Sequence, residues 1–208
     1  MAKRPTVDMP RSDVSHRHKG FRPYVVALGE LALAWNDLHS ELSFLFALIV
    51  TGVSVDPTQH AVWNALKSDR SQRDMLVAAA KSRTEHKLKA EVEVLEDIIW
   101  MCGQINSLED IRNNALHSPL FARRDDNGAV IVRPLVEFGH VRAQKLLKKD
   151  ILFEFEYCRD CSVLFTNFAN WLALHIDIEG LRRPTRPSLP NRGHSNERKL
   201  PRPEKPAK

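Results

Sequence analysis

The sequence predicts an all-α fold: an antiparallel up-down bundle of about five helices, with one β-hairpin inserted before the last of them. Three observations carry this. Apolar residues recur at spacings of three and four over several long stretches, which is the period of one helix face. Proline, glycine and short polar residues fall between those stretches, where helices start and stop. A single region, residues 120–136, changes to short β-type runs on either side of Asp125-Asp126-Asn127-Gly128, a turn sequence.

The first helix is expected to open at Arg22-Pro23 and run to about Thr51-Gly52, with Gly52 as the stop. Its apolar face reads Val25, Leu28, Leu31, Trp35, Leu38, Leu42, Leu45 and Ile49, while Glu30, Asp37 and Glu41 form a narrow acidic stripe. Asp56-Pro57 reads as an N-cap followed by a first-turn proline. The helix it opens carries Val62, Trp63 and Leu66 and ends near Lys67. Ser68 or Asp69 caps a third helix to about Arg83. Thr84 then opens the longest one, buried through Leu88, Val92, Leu95, Ile99, Cys102, Leu108, Ile111 and Ala115, with Gly103 as a point of bending. It is read as continuous to His117, a break at Asn106-Ser107 being the alternative. Pro119 stops it, because the residue before a proline is pushed out of the helical region. The hairpin follows, turning at Asn127-Gly128. A linker with Lys145, Lys148 and Lys149 leads to a last helix from about Asp150 to Asp177, ended by Gly180. The four tryptophans Trp35, Trp63, Trp100 and Trp171 sit at apolar positions and are read as core.

A chain of 208 residues is long enough for one domain with a sizeable core and short for two. The domain is placed at 21–180, between a disordered basic segment over 1–20 and a disordered Pro/Arg/Lys-rich tail over 181–208. Net charge is +5, but the tail carries nine Lys/Arg against two Glu and the first 20 residues five against two, so residues 21–180 are net −5. Any nucleic-acid surface on the body is therefore local. Three cysteines make no disulfide framework. No apolar run is long enough to span a membrane, and no secretory signal is apparent. The expected location is a reducing, bacterium-like cytoplasm.

The residues that invite a chemical reading close the long helix: Arg112, Asn113 and His117. A guanidinium holds phosphate bidentately, an imidazole exchanges protons near neutral pH, and both are favoured as cations at a helix carbonyl end. The spacing Arg, four to six residues, His also joins Arg11 to His16 and His18, and Arg133 to His140. Only at Arg112 does it end a long amphipathic helix, with a polar residue directly after the arginine.

On these residues the chain resembles the HEPN superfamily, whose motif is Arg, a polar residue, and His a few positions on, at a helix end in an α-bundle. The resemblance covers roughly residues 21–178, and its specific part is Arg112-Asn113 and His117. It implies a metal-independent endoribonuclease, a toxin or defence effector, that cuts through the ribose 2′-OH and uses no cofactor. His117 would be general acid or base, Arg112 would stabilise the scissile phosphate, and Asn113 would orient one of them. It also implies a homodimer with two motifs face to face, RNA as substrate, an antitoxin as possible partner, and an acidic residue on the first helix, Glu41 or Asp37, facing Arg112. Many members of the superfamily are non-catalytic, so a helical dimerisation, RNA- or protein-binding module is the alternative.

Other candidates are weighed beside plainer readings. Arg123, Arg124 and Arg133 on the hairpin are placed to hold RNA phosphates, or form a solvated face. The carboxylates of the acidic stripe pair with Arg70 or Arg73, or face water. Cys158-x-x-Cys161 has a metal-ligand spacing, with His175 and Cys102 as the only obvious company. Zinc wants four ligands, so buried small hydrophobes are the expectation and no metal site is assigned.

Overall fold

The computed structural model describes residues 17–84, 89–136, 139–147, 149–178 and 180–192. Expectations for residues 1–16, Leu88, Lys148 and 193–208 fall outside the described residues. The described chain is mostly helical, with one two-stranded antiparallel hairpin before the last helix.

Helix α1 (Arg22–Thr51) starts with Pro23 in its first turn and ends at Gly52, which sits at φ 78° and returns its N–H to the Leu48 carbonyl. Of its expected apolar face, Leu31, Trp35, Leu38, Leu42, Leu45 and Ile49 are buried, whereas Val25 is exposed. Helix α2 (Pro57–Ala65) is capped by Asp56, whose carboxylate accepts from the N–H groups of Thr58 and Gln59 at 2.8 and 3.1 Å. Asp56→Ala should therefore lower stability by about 1 kcal/mol, read as a shift in the urea midpoint with an unchanged slope. Helix α3 (Asp69–Thr84) is capped by Ser68, whose Oγ accepts from the Ser71 N–H.

Helix α4 (Lys89–His117) runs 29 residues without interruption. The alternative break at Asn106-Ser107 does not occur. The Ser107 hydroxyl donates to the Gln104 carbonyl, 2.6 Å away on its own helix, rather than capping a new one. Strands β1 (Leu120–Arg124) and β2 (Val130–Pro134) follow, with Phe121 opposite Arg133 and Arg123 opposite Ile131. Their turn is longer than the expected two-residue Asn127-Gly128 centre. The Gly128 N–H bonds to the Asp125 carbonyl across Asp126 and Asn127, and Asp125 Oδ1 accepts from the N–H groups of Asn127 and Ala129. Gly128 then supplies the positive φ, 78°, of a three-residue hairpin loop. Ala122 and Val132 bury the other face of the hairpin against Phe21 and Tyr24. Gly20 passes so close that a Cβ there would lie 2.8 Å from Val130.

The expected linker contains a sixth helix, α5 (Val141–Leu146), capped by His140, whose Nδ1 accepts from the Ala143 N–H. Histidine is an unusual cap, so nothing in the sequence announced it. Helix α6 (Ile151–Asp177) is capped by Asp150. It forms its main interface with α1 and also packs on α4. The pairs Trp100–Phe168 and Leu108–Cys158 show that α4 and α6 run antiparallel. Trp171 is not core: it is 52% exposed, one residue out of step with the buried run Phe165, Phe168 and Leu172.

The expected disordered tail also differs over its described part. Residues 181–192 have no helix or strand, yet they lie on the bundle as a strap. Arg186 pairs with buried Asp97 at 2.6 Å and lies over the Trp100 ring. Arg183 reaches Glu93 and Asp97, and Arg192 binds buried Glu154 and lies over Tyr157. His175 fastens the start of the strap by donating to the Leu181 carbonyl at 2.5 Å. Arginine pairing with carboxylates recessed in the bundle holds a segment whose composition alone gives it no core.

Candidate functional site

The interface of α1, α3 and α4 is built around polar side chains. On α4, Asn106, Glu109, Arg112 and Asn113 follow one another by about a turn, so they share a face. That face meets Asp69, Gln72 and Arg73 of α3 and Trp35 and His39 of α1. Arg73 is completely buried and spends its donors on three partners. Nε donates to Asn106 Oδ1 at 2.8 Å, Nη2 to Glu109 Oε2 at 2.8 Å, and Nη1 to His39 Nε2 at 3.0 Å.

That last bond fixes the histidine. A guanidinium only donates, so His39 Nε2 accepts and Nδ1 carries the proton, which it donates to Gln72 Oε1 at 3.1 Å. Gln72 in turn donates to the Trp63 carbonyl at 3.1 Å. Burial, and then the Arg73 guanidinium, push the His39 pKa down to about 4 against the opposing pull of Asp69. An unfolded histidine titrates near 6.5. Between pH 6.5 and 4 the unfolded chain thus binds the extra proton, so stability is present above that window and is lost as pH falls through it. The wild type should lose up to about 1.4 kcal/mol per pH unit there from this group. His39→Gln, which cannot titrate, should flatten that part of the profile in urea melts, and an unaltered slope would refute the assignment.

Arg112 belongs to the same cluster. Its guanidinium lies over the Trp35 ring, 5.6 Å from the centroid, donates to Asn113 Oδ1 at 2.9 Å and sits 3.7 Å from Asp69 Oδ2. Trp35 Nε1 donates to that same Asp69 oxygen at 2.8 Å. Burial raises the Asp69 pKa, but the Trp35 hydrogen bond and the charges of His39, Arg112 and Arg73 outweigh it and hold the carboxylate below its ordinary value. The Arg112 side chain is 23% exposed, and its Nε is buried without a partner among the described residues.

The chain matches no known protein family, no curated protein and no solved structure. The site is therefore read from its own geometry.

The structure brings Arg112 and Asn113 together and leaves His117 apart. His117 is exposed at the last position of α4. Five residues at about 100° each put it roughly 140° around the helix from Arg112. Neither Glu41 nor Asp37 contacts Arg112 among the described residues. Asp37 is exposed, and Glu41 has a raised pKa from burial and from Asp37 beside it. The carboxylate at Arg112 is Asp69, on α3 rather than α1. Its role was legible only as a helix cap, and the indole that stacks the arginine, Trp35, looked like core. The acidic stripe turns elsewhere: Glu30 accepts from Arg159 Nη1 of α6 at 2.6 Å.

On the hairpin, Arg123 and Arg133 share the exposed face with Phe121 and Ile131, while Arg124 is on the opposite face and donates to the Gly128 carbonyl. Cys158 and Cys161 are buried. Burial, with Cys161 adding to it, pushes the Cys158 thiol up to about 12, and burial also raises Cys161. Such thiols stay protonated and pack as small apolar groups. Among the described residues no three His, Cys, Asp or Glu side chains cluster as metal ligands, and no helix is long and apolar enough to cross a membrane.

Proposed function

We propose that this chain is a metal-independent endoribonuclease of HEPN type, acting as a homodimer on RNA. The observation that carries it is the contrast at the end of α4: a guanidinium held in place by Asn113, Asp69 and Trp35, and beyond it an imidazole exposed to solvent. The first is organised to stabilise phosphate charge and the second is free to exchange protons with a ribose 2′-OH or a leaving 5′-oxygen. Because the two side chains leave the helix roughly 140° apart, a face-to-face pair in which Arg112 of one copy works with His117 of the other completes the site better than one chain does. Arg123 and Arg133 supply phosphate contacts beside it, with Phe121 between them for a base to stack on. The biological setting that goes with this chemistry is a toxin or defence effector in a bacterial cytoplasm, restrained by an antitoxin.

The test is RNA cleavage by the purified protein in EDTA, with products ending in 2′,3′-cyclic phosphate. Sedimentation at micromolar concentration should show a C2 dimer; a monomer that cleaves RNA would overturn the paired arrangement. One observation favours a second reading. The Arg112 contacts to Asp69, Asn113 and Trp35 are also those of a structural arginine, which suits a non-catalytic RNA- or protein-binding module. That module would bind RNA without cutting it.

A further inference from the structure

A different pair of side chains stands on the other side of Asp69. Ser43, in the middle of α1, is buried, and its Oγ lies 2.6 Å from His60 Nδ1 on α2. His60 Nε2 lies 3.2 Å from the carbonyl oxygen of Ser54, in the loop joining the two helices. A carbonyl oxygen only accepts, so Nε2 carries the ring proton and Nδ1 is the acceptor. The Ser43 hydroxyl therefore donates to a neutral imidazole whose tautomer is fixed from behind. Other helical hydroxyls do something else. Thr51, Ser107, Ser162 and Thr166 each donate to a carbonyl three or four residues back on their own helix, the usual fate of a hydroxyl inside a helix. Ser43 points away from that bond and toward a base.

The pair opens on a cavity of about 460 Å³ between α1, α2 and α3. Phe44 and Trp63 give it apolar surface, the amides of Asn36 and Asn64 give it hydrogen-bond donors, and Asp69 puts a negative charge on its wall. Phe44 also meets the His60 ring edge-on at 4.9 Å, which helps to hold the imidazole in its place.

We propose that Ser43 is a nucleophile, with His60 as its general base, in a site that hydrolyses neutral or cationic carboxylic esters. Ser43 Oγ adds to the ester carbonyl carbon as its proton passes to His60 Nδ1. The Asn36 and Asn64 amides are the donors available to the oxyanion. Collapse breaks the bond to the alkoxy oxygen, which leaves as the alcohol with the proton from His60. Water then adds to the acyl-serine, again giving its proton to His60, and the carboxylic acid departs as that proton returns to Ser43. Ester and water become acid and alcohol, with no other reactant. The Asp69 charge selects against anionic esters. This site is independent of the RNA reading.

The test treats the full-length protein with an alkyl fluorophosphonate, which bonds an activated serine at phosphorus with loss of fluoride, and locates the adduct by peptide mass spectrometry. The expected result is an adduct on Ser43 and turnover of a p-nitrophenyl ester. Ser43→Ala, which removes one oxygen from a small side chain, should abolish both. His60→Ala should slow both by roughly 10²- to 10⁴-fold. No adduct on wild-type protein, an adduct on another residue, or ester turnover that survives Ser43→Ala overturns the proposal. A His60→Ala protein that labels at the wild-type rate overturns the role of the base. Since the wild-type labelling alone decides whether Ser43 is reactive, a variant that failed to fold would not leave the proposal standing.

Discussion

Glu109→Ala is expected to destabilise the fold by about 3–5 kcal/mol, the usual consequence of leaving a buried charge without its partner. Arg73 is wholly buried, whereas Glu109 keeps 20% of its side chain exposed, so the deletion strands the guanidinium in the core rather than exposing it. Asn106 and His39 still accept two of its hydrogen bonds, but both are neutral. The only other carboxylate acting on Arg73 is Asp69, already engaged with Trp35 and Arg112. A loss of this size is a large part of the roughly 5–15 kcal/mol that holds an ordinary domain together. Replacing both partners is expected to be milder: Arg73→Met with Glu109→Ala removes the charge along with its counter-ion and keeps much of the volume. Urea melts of the two singles and the double give the coupling directly. A Glu109→Ala cost below about 1 kcal/mol, the value of a surface pair, would show that water reaches Arg73.

Much of the scaffold was legible because local chemistry wrote it. The Arg22-Pro23 start, the Gly52 stop, the Asp56-Pro57 cap and the Asp150 cap each act within a few residues, and the structure uses all of them as read. What was not legible depends on contacts between distant parts of the chain. Asp69 looked like a helix start; it is also the carboxylate at Arg112, a role set by how α3 packs on α4. Ser43 read as a small residue on an apolar helix, and only the fold of α2 back onto α1 brings His60 to it. The strap over 181–192 reads as a basic, proline-rich tail because its partners, Asp97 and Glu154, are about 90 and 40 positions away. A polar stripe inside an otherwise apolar helix, Asn106, Glu109 and Arg112 at spacings of three, was the one sequence signal of the buried cluster.

His117→Ala is expected to lower RNA cleavage by about 10²- to 10⁴-fold, the cost of losing a general acid or base, and to leave stability nearly unchanged because the imidazole is exposed. Arg112→Ala should also abolish cleavage, but it will cost stability too. The guanidinium is stacked on Trp35 and paired with Asp69, so its loss exceeds the roughly 0.3–1 kcal/mol of a helix-dipole contact. Arg112→Lys should rescue the fold better than the rate, since an ammonium neither stacks nor grips phosphate in the same way. Replacing Cys158 and Cys161 by alanine should leave the rate alone. The sharpest result comes from mixing. If each site takes Arg112 from one copy and His117 from the other, co-refolding the Arg112→Ala and His117→Ala proteins rebuilds one intact site in every mixed dimer, as a face-to-face C2 pair requires. Cleavage should then reappear from two inactive preparations. Sites made within single chains would stay dead on mixing, and His117→Ala protein that cuts like the wild type would remove the catalytic reading, leaving the binding module.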